Sequence, residues 1–299
     1  MSASPSPRYR FRFGMATVVT CASALAIVLP GAAAAGQSLA TGRSLLAAVD
    51  ALPPTPNTAW GLDPATGQLL LTVSDAAPAP GAARLLALAS RAGNLARTVR
   101  THRPLAEQEL IDPVSPQDGV VLGGDRISDG KILCSAGFNT ERDGTPYVLT
   151  AGHCTHGLPA WQGIGPAVVS VFPGGDYGVI RNDSAFGLGD VDRYDGTEQP
   201  ITSAGTAFVG ERVCASGEAT GLTCGRVTAV DQTVDYGDGN VVHGLIETTV
   251  RTDHGDSGGP LFDGSTGLGT VSGGDGTTDY FQPLPPVLAA YGLALAPPD

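Results

Sequence analysis

The stretch RTDHGDSGGPLF, residues 251–262, decides how the rest of the chain is read. It sets Ser257 between Gly255-Asp256 and Gly258-Gly259. Glycine-rich turns with Asp and Ser are common, because Gly accepts positive φ and the short polar side chains bond to nearby backbone. Ser257 is therefore either a hydroxyl in a tight turn or a nucleophile aimed by one. The motif fits G-x-S-x-G, but no parallel βαβ series surrounds it, so the strand–turn–helix elbow marked by that pattern is not expected.

The company of Ser257 separates the two readings. YVLTAGHCTHG (147–157) puts an apolar strand before a turn that presents His153 next to Cys154. A neutral imidazole can take a hydroxyl proton and return it to a leaving group once its second nitrogen is oriented. FPGGDYGVIR (172–181) sets Asp176 at the end of a glycine turn, just before an apolar strand. An acid there can hold an imidazole N–H and stabilise the imidazolium. Read singly, these are a structural histidine, a solvated acid and a turn serine. Together, in the order His153, Asp176, Ser257, they match one of the orders in which convergent triads occur. Asp183, Asp190, Asp192 and Asp195 lie in polar loops and are expected to face solvent. His102, His156, His243 and His254 are read as exposed loop histidines. No CxxC or HxxxH spacing occurs, so neither a metal site nor a cofactor is expected.

Bulk properties bound the class. The 299 residues suffice for one large or two to three ordinary domains. With 42 Gly, 23 Pro and 15% charged residues, the chain is rich in turns and poor in long charged helices. The net charge of −12 is uneven: residues 1–120 carry nine Arg against seven acids, and residues 121–299 carry seven Arg and one Lys against 22 acids. An acidic part with Lys131 as its one lysine has no footprint for nucleic acid. Such a charge keeps a protein soluble and monomeric.

The N-terminus carries Arg8, Arg10 and Arg12, then an apolar run, then small residues with A-x-A character, the pattern of a cleaved secretory signal over residues 1–35. The competing reading is an uncleaved anchor, since the run from Gly14 to Ala35 nearly spans a membrane. Cleavage removes Cys21 and leaves Cys134, Cys154, Cys214 and Cys224 in an exported chain, where four cysteines most simply make two disulfides.

Residues 37–52 have helical apolar spacing ended by Pro53-Pro54, residues 58–75 read as a hairpin, and a second Arg-bearing helix follows, so residues 36–120 form a small α+β unit without cysteine. A linker at about 112–124 is a natural place for proteolytic processing. From there short strands recur at 131–138, 145–150, 167–172, 177–181, 206–215, 225–234, 241–250, 259–263 and 268–272. A final helix begins at PPVLAAYGLAL. Strands at this spacing predict an all-β sandwich or barrels.

On TAGHC, GGDYGVI and GDSGGP, the chain resembles the secreted bacterial branch of the chymotrypsin-like serine proteases, the streptogrisins and alpha-lytic protease. TAWGLDPATGQLLLTVSD looks like that family's pro-region, which assists folding and is then removed. VLGGDRI resembles the start of the mature enzyme, placing maturation near Val121 and a protease domain over 121–299. The resemblance implies two six-stranded Greek-key β-barrels with the triad at their interface, a C-terminal helix, and a secreted endopeptidase acting on protein and peptide substrates. It assigns His153 as general base, Asp176 as its orienter and Ser257 as nucleophile. The amides of Gly255 and Ser257 become the oxyanion hole, and Ser272 the support of Asp176. Ser272, Gly273 and Gly274 become the edge that pairs with substrate. The implied disulfides are Cys134–Cys154 and Cys214–Cys224.

Three departures follow from the same comparison. A third disulfide that flanks the primary pocket in relatives is absent, its positions falling at Arg251 and the GGDGTTD loop. An Arg that pairs with the Asp before the nucleophile is Ala215 here, so Arg251 is expected to supply the cation for Asp256, with Arg212 or Arg226 as substitutes and a solvated Arg251 as the alternative. TDHG replaces AEPG, putting His254 near the pocket mouth. Val271, where Glu-selective relatives carry His, favours apolar or aromatic P1 residues, and an inward Arg251 would favour Asp or Glu. The other readings are an esterase and a protease-fold binding protein that has lost catalysis.

Overall fold

The computed structural model describes residues 41–107, the backbone of 110–111, and residues 120–184 and 187–299. The signal segment and residues 112–119 of the expected 112–124 linker lie outside the described residues.

Alternating apolar and polar residues build two β-barrels packed side by side. The first uses Arg126–Ser128, Ile132–Ser135, Asn139–Arg142, Thr145–Thr150, Gly165–Val171 and Tyr177–Arg181, joined mainly as antiparallel neighbours. Its interior is filled by Ile127, Val148, Ile164 and Ile180 around the buried Cys134–Cys154 bridge.

The second barrel closes completely. Arg212–Gly217 pairs with Gly221–Asp235, which pairs with Val241–Thr248, then Asp279–Pro283, Thr266–Gly274 and Pro260–Asp263, which returns to Arg212–Gly217. Closure leaves no free edge among these six strands. Register shifts along Gly221–Asp235 let one 15-residue strand bend around the barrel. Val213, Val227, Ile246, Leu261, Leu268 and Phe281 fill the interior.

The C-terminal helix Leu284–Tyr291 starts directly after Pro283, where a missing N–H is harmless, and stops at Gly292. It packs Leu284 and Val287 into a cluster with Phe138, Leu149 and Phe262. The following Ala294–Leu295 pairs with Thr140–Glu141, tying the chain's end to the first barrel.

The expected strand at 206–215 begins only at Arg212. Phe208 is 63% exposed in a turn closed by Phe208 N–H donating to Glu211 Oε2 and Glu211 N–H to the Phe208 carbonyl. Phe208 and Val209 have the composition of a strand but no neighbour to cover them, while Ala207 is buried in the barrel core.

The N-terminal segment forms the expected α+β unit. Residues 41–50 are helical, Thr58–Leu62 and Leu69–Ser74 form a hairpin, and helix Ala79–Ala92 leads to Ala96–Thr101, parallel to Leu69–Ser74. Trp60, Leu69, Leu71, Val73 and Leu85 make its core. Its hairpin extends the second barrel's sheet, Thr58 opposite Asp235 and Trp60 opposite Thr233. Ala59 and Leu105 complete a shared apolar cluster with Val234, Tyr236, Val242, Leu245 and Tyr280. Leu105 is 1% exposed at this junction. Leu105→Ala is expected to weaken the junction by about 2–5 kcal/mol. Hydrogen exchange checks it: amides of Val234–Tyr236 should lose protection while those of Val148–Leu149 keep theirs.

Candidate active site

His153 leaves the buried strand Thr145–Thr150 at its end, and the bridge from the adjacent Cys154 to Cys134 anchors its turn to Ile132–Ser135. Asp176 immediately precedes Tyr177–Arg181, whose register puts Gly178 opposite Thr150. That register delivers the carboxylate to the His153 turn.

The carboxylate is held from all sides. Asp176 is 0% exposed; Oδ1 accepts the amides of Gly152 at 2.7 Å and His153 at 3.0 Å. Oδ2 accepts the Ser272 hydroxyl at 2.6 Å and lies 2.9 Å from His153 Nδ1. A carboxylate only accepts, so Nδ1 carries the proton and Nε2 is left as an acceptor. Nε2 stands 2.8 Å from Ser257 Oγ. Phe172 packs edge-on to the imidazole at 5.6 Å, shielding it from water. The first barrel supplies His153 and Asp176, and the second supplies Ser257 and Ser272.

Two further residues complete the network, and neither was singled out from sequence. Tyr236 places its hydroxyl 3.0 Å from Ser272 Oγ, so a buried chain runs Tyr236–Ser272–Asp176. Gln282 Oε1 accepts the Asp176 amide at 2.8 Å. Burial pushes the Tyr236 hydroxyl well above its ordinary pKa, so it stays neutral. VDYGDG carries no signal for such a role, since a buried tyrosine is usually core.

Ser257 sits in a turn whose carbonyls are fixed: Ser135 N–H donates to the Ser257 carbonyl at 2.8 Å, and Ser135 Oγ to the Gly255 carbonyl at 2.9 Å. Gly255 has φ +107°, a conformation that a side chain would strain, and it orients the peptide just before the serine. Among the described residues, neither the Gly255 nor the Ser257 amide donates to a protein acceptor.

Asp256 corrects an expectation. It is 1% exposed, and among the described residues no arginine holds it. Oδ1 accepts the amides of Ala219 at 2.8 Å and Thr220 at 3.1 Å; Oδ2 accepts the Thr220 hydroxyl at 2.8 Å and the Asp253 amide at 2.9 Å. Arg251 is exposed, with its carbonyl accepting from Thr223 Oγ1; Arg212 is exposed, and Arg226 donates to the Gly210 carbonyl. A loop of backbone donors replaces a cation, avoiding the cost of burying an arginine as well. Burial still pushes the Asp256 carboxyl above its ordinary value, opposed by these donors.

The Gly273–Gly274 edge is already paired: Ala106 lies opposite Gly274 and Glu107 opposite Gly273, antiparallel. Glu107 Oε1 accepts Asn240 Nδ2 at 2.9 Å. The cleft in front of His153, about 960 Å³, is also lined by Glu107, Lys131, His156, Phe172 and His254. The remaining histidines are exposed as expected, His102 beside Asp75 at 2.8 Å, but His243 lies in the strand Val241–Thr248 and not in a loop, beside Thr233 at 3.2 Å. Asp190 is not solvated: it is buried, and its Oδ2 accepts the Asp299 amide at 2.9 Å. Cys134, His153 and Cys154 converge as donors, but both sulfurs are bonded to each other and offer no thiolate. Among the described residues, no helix is long and apolar enough to cross a membrane.

Thr220→Val removes one donor from a buried carboxylate and is expected to lower stability by about 1.5–3 kcal/mol, read from urea unfolding.

No family model matches the chain. Streptogrisin-A of Streptomyces griseus is 38% identical over 304 residues, covering 98% of this chain and 97% of that protein. Streptogrisin-D of the same organism is 41% identical over 80% of this chain, which spans 61% of that relative's length. Glutamyl endopeptidase 2, also from Streptomyces griseus, is 43% identical over 58% of this chain and 99% of its own. Among solved structures, Thermobifida fusca Protease A is 36% identical with a TM-score of 0.57, over 60% of this chain and 100% of that one. With two barrels, a buried His-Asp-Ser cluster at their junction and streptogrisin-A matched nearly end to end, the chain belongs to the streptogrisin family of chymotrypsin-like serine proteases.

Proposed function

We propose that the protein is a secreted serine endopeptidase, made as a pre-pro-protein, that hydrolyses peptide bonds through an acyl-enzyme intermediate. The observation that carries this reading is the pair of contacts on one imidazole, Nδ1 to Asp176 at 2.9 Å and Nε2 to Ser257 Oγ at 2.8 Å.

Ser257 Oγ attacks the scissile carbonyl as His153 Nε2 takes its proton, and Asp176 stabilises the imidazolium without itself being protonated. The tetrahedral oxyanion is met by the Gly255 and Ser257 amides, where one preorganised donor contributes about 3 kcal/mol. His153 then protonates the leaving amine, and water repeats the sequence in reverse to release the acid. Ser272 and Tyr236 keep the Asp176 carboxylate aimed, and substrate backbone pairs with Ser272, Gly273 and Gly274.

Residues 1–35 act as the export signal, residues 36–120 as a pro-region that assists folding, and residues 121–299 as the extracellular, monomeric protease. The strand Ala106–Glu107 on the Gly273–Gly274 edge supports this division, since the segment must leave before a substrate can pair there.

An apolar or aromatic P1 residue suits the primary pocket. Val271 is fully buried behind it. Arg251 is exposed, while Asp253 and Asp275 line the primary pocket of about 330 Å³, whose one arginine, Arg103, belongs to the pro-region, and the two acids oppose an acidic P1. One similar structure is described as a glutamic acid specific serine protease using a histidine triad in substrate binding, and Val271 departs from such a histidine set.

A peptide-library P1 profile of the processed protein tests the reading, with Ser257→Ala alongside. Cleavage after Leu, Phe or Tyr is expected, reduced by about 10⁶-fold in kcat in the variant. Cleavage after Asp or Glu overturns the apolar pocket. No cleavage by processed, disulfide-bonded protein overturns the enzyme reading in favour of a protease-fold binding protein. N-terminal sequencing of the active species is expected to begin at Val121.

A further inference from the structure

The pocket beside Gly273–Gly274, read as the primary pocket, has Thr252-Asp253-His254 as one wall and Gly274-Asp275-Gly276 as another, with Arg103, Pro104 and Ala106 of the N-terminal segment closing it, and neither of the first two walls contains a cysteine. Asp279 joins them. It is 0% exposed; Oδ2 accepts the Thr252 amide from the first wall at 3.2 Å, and Oδ1 accepts the Gly276 amide from the second at 3.1 Å. The Thr252 hydroxyl adds a further bond to the same carboxyl. Asp279 also pairs directly with Gly274 across the hairpin, and a Cβ on Gly274 would overlap Asp279 Oδ1. The carboxylate thus lies against the backbone of the very residue that forms the substrate edge.

We propose that Asp279 is a positioning residue for specificity: its carboxylate braces the Thr252 wall against the Gly273–Gly274 edge and so fixes the width of the primary pocket. The inference rests on the protease reading given above. Asp279 takes no part in proton transfer, since its contacts are to pocket walls and not to His153 or Ser257. It does the work of a covalent cross-link between the walls with hydrogen bonds to an anion, which are stronger than neutral ones and depend on charge.

That dependence gives the brace a pH signature. Burial, helped by the nearby Asp275 charge, raises the Asp279 carboxyl to about 7 against the Thr252 and Gly276 amides and the Thr252 hydroxyl. The other ionisable groups around it are Tyr236, whose hydroxyl feels the Asp279 charge, and Asp253, His254 and Arg103 lining the pocket. Above about 7 the group is a carboxylate and both oxygens accept. Below it one oxygen carries the proton and accepts more weakly, so the bond from one of the two backbone N–H groups is weakened. KM for a substrate with a large apolar P1 is therefore expected to rise as pH falls through this range, in addition to any change in kcat from the imidazole.

The test uses full-length chains carrying Asp279→Ala and Asp279→Asn, processed as the wild type is, with intact sites counted by a fluorophosphonate probe. Per titrated site, Asp279→Ala is expected to raise KM for a Leu or Phe P1 peptide about tenfold with kcat changed less than about threefold, and to flatten the preference for Leu over Gly at P1. Asp279→Asn keeps one acceptor oxygen and no charge, so a smaller KM rise and a KM that no longer varies near pH 7 are expected. Should Asp279→Ala yield no titratable sites, Asp279→Asn decides alone. A KM, P1 preference and KM–pH profile equal to wild type in the titrated variants overturn the brace. A kcat loss with KM unchanged also overturns it. Failure of the wild type to react with the probe overturns the protease reading instead.

Discussion

Everything at the centre of this molecule depends on one buried carboxylate, Asp176. It lies where the two barrels meet and accepts from both: two amides and an imidazole from the first barrel, one hydroxyl from the second. An ionised group buried without such partners would be untenable, and a partly satisfied one would let the imidazole swing. The four bonds fix barrel–barrel geometry and the His153 tautomer in a single arrangement. That arrangement leaves Nε2 as the acceptor facing the Ser257 hydroxyl.

The same solution recurs at two other acids. Asp256 beside Ser257 and Asp279 behind the pocket are each buried, each raised in pKa by burial, and each held chiefly by backbone N–H groups. In both places the sequence lacks the partner that the family resemblance leads one to expect, an arginine in one case and a disulfide in the other. Loop backbone supplies the compensation. The substitution of charge-assisted hydrogen bonds for an ion pair and for a covalent link is a consistent feature of this chain. It concentrates three carboxylates around one turn and one pocket.

Much of this was legible before any coordinates. The residues His153, Asp176 and Ser257 stand in motifs whose residue types are demanded by chemistry, and the alternating strands around them have the period of a half-buried sheet. The N-terminal hairpin at 58–75 was equally plain, because a turn sequence separates two apolar runs. The holder of Asp256 was not legible, because Ala219 and Thr220 act through amides that every residue possesses. Tyr236 was hidden for a related reason: its hydroxyl matters only through Ser272, 36 positions away in the chain. Phe208 and Val209 misled in the opposite direction, since strand-like composition cannot reveal whether a neighbour exists to cover it. Asp190 misled as well, since it begins the short strand Asp190–Asp192 and is buried beneath Asp299.

The most direct test of the account is the rate at which a fluorophosphonate probe modifies Ser257 in the processed wild type and in Asp176→Asn. An amide at residue 176 keeps the shape of the site but reverses the imidazole tautomer, so Nε2 carries a proton and can no longer accept from Ser257. The account predicts stoichiometric modification of Ser257 in the wild type and a rate lower by about 10⁴-fold in the variant. Equal rates in the two proteins would contradict it.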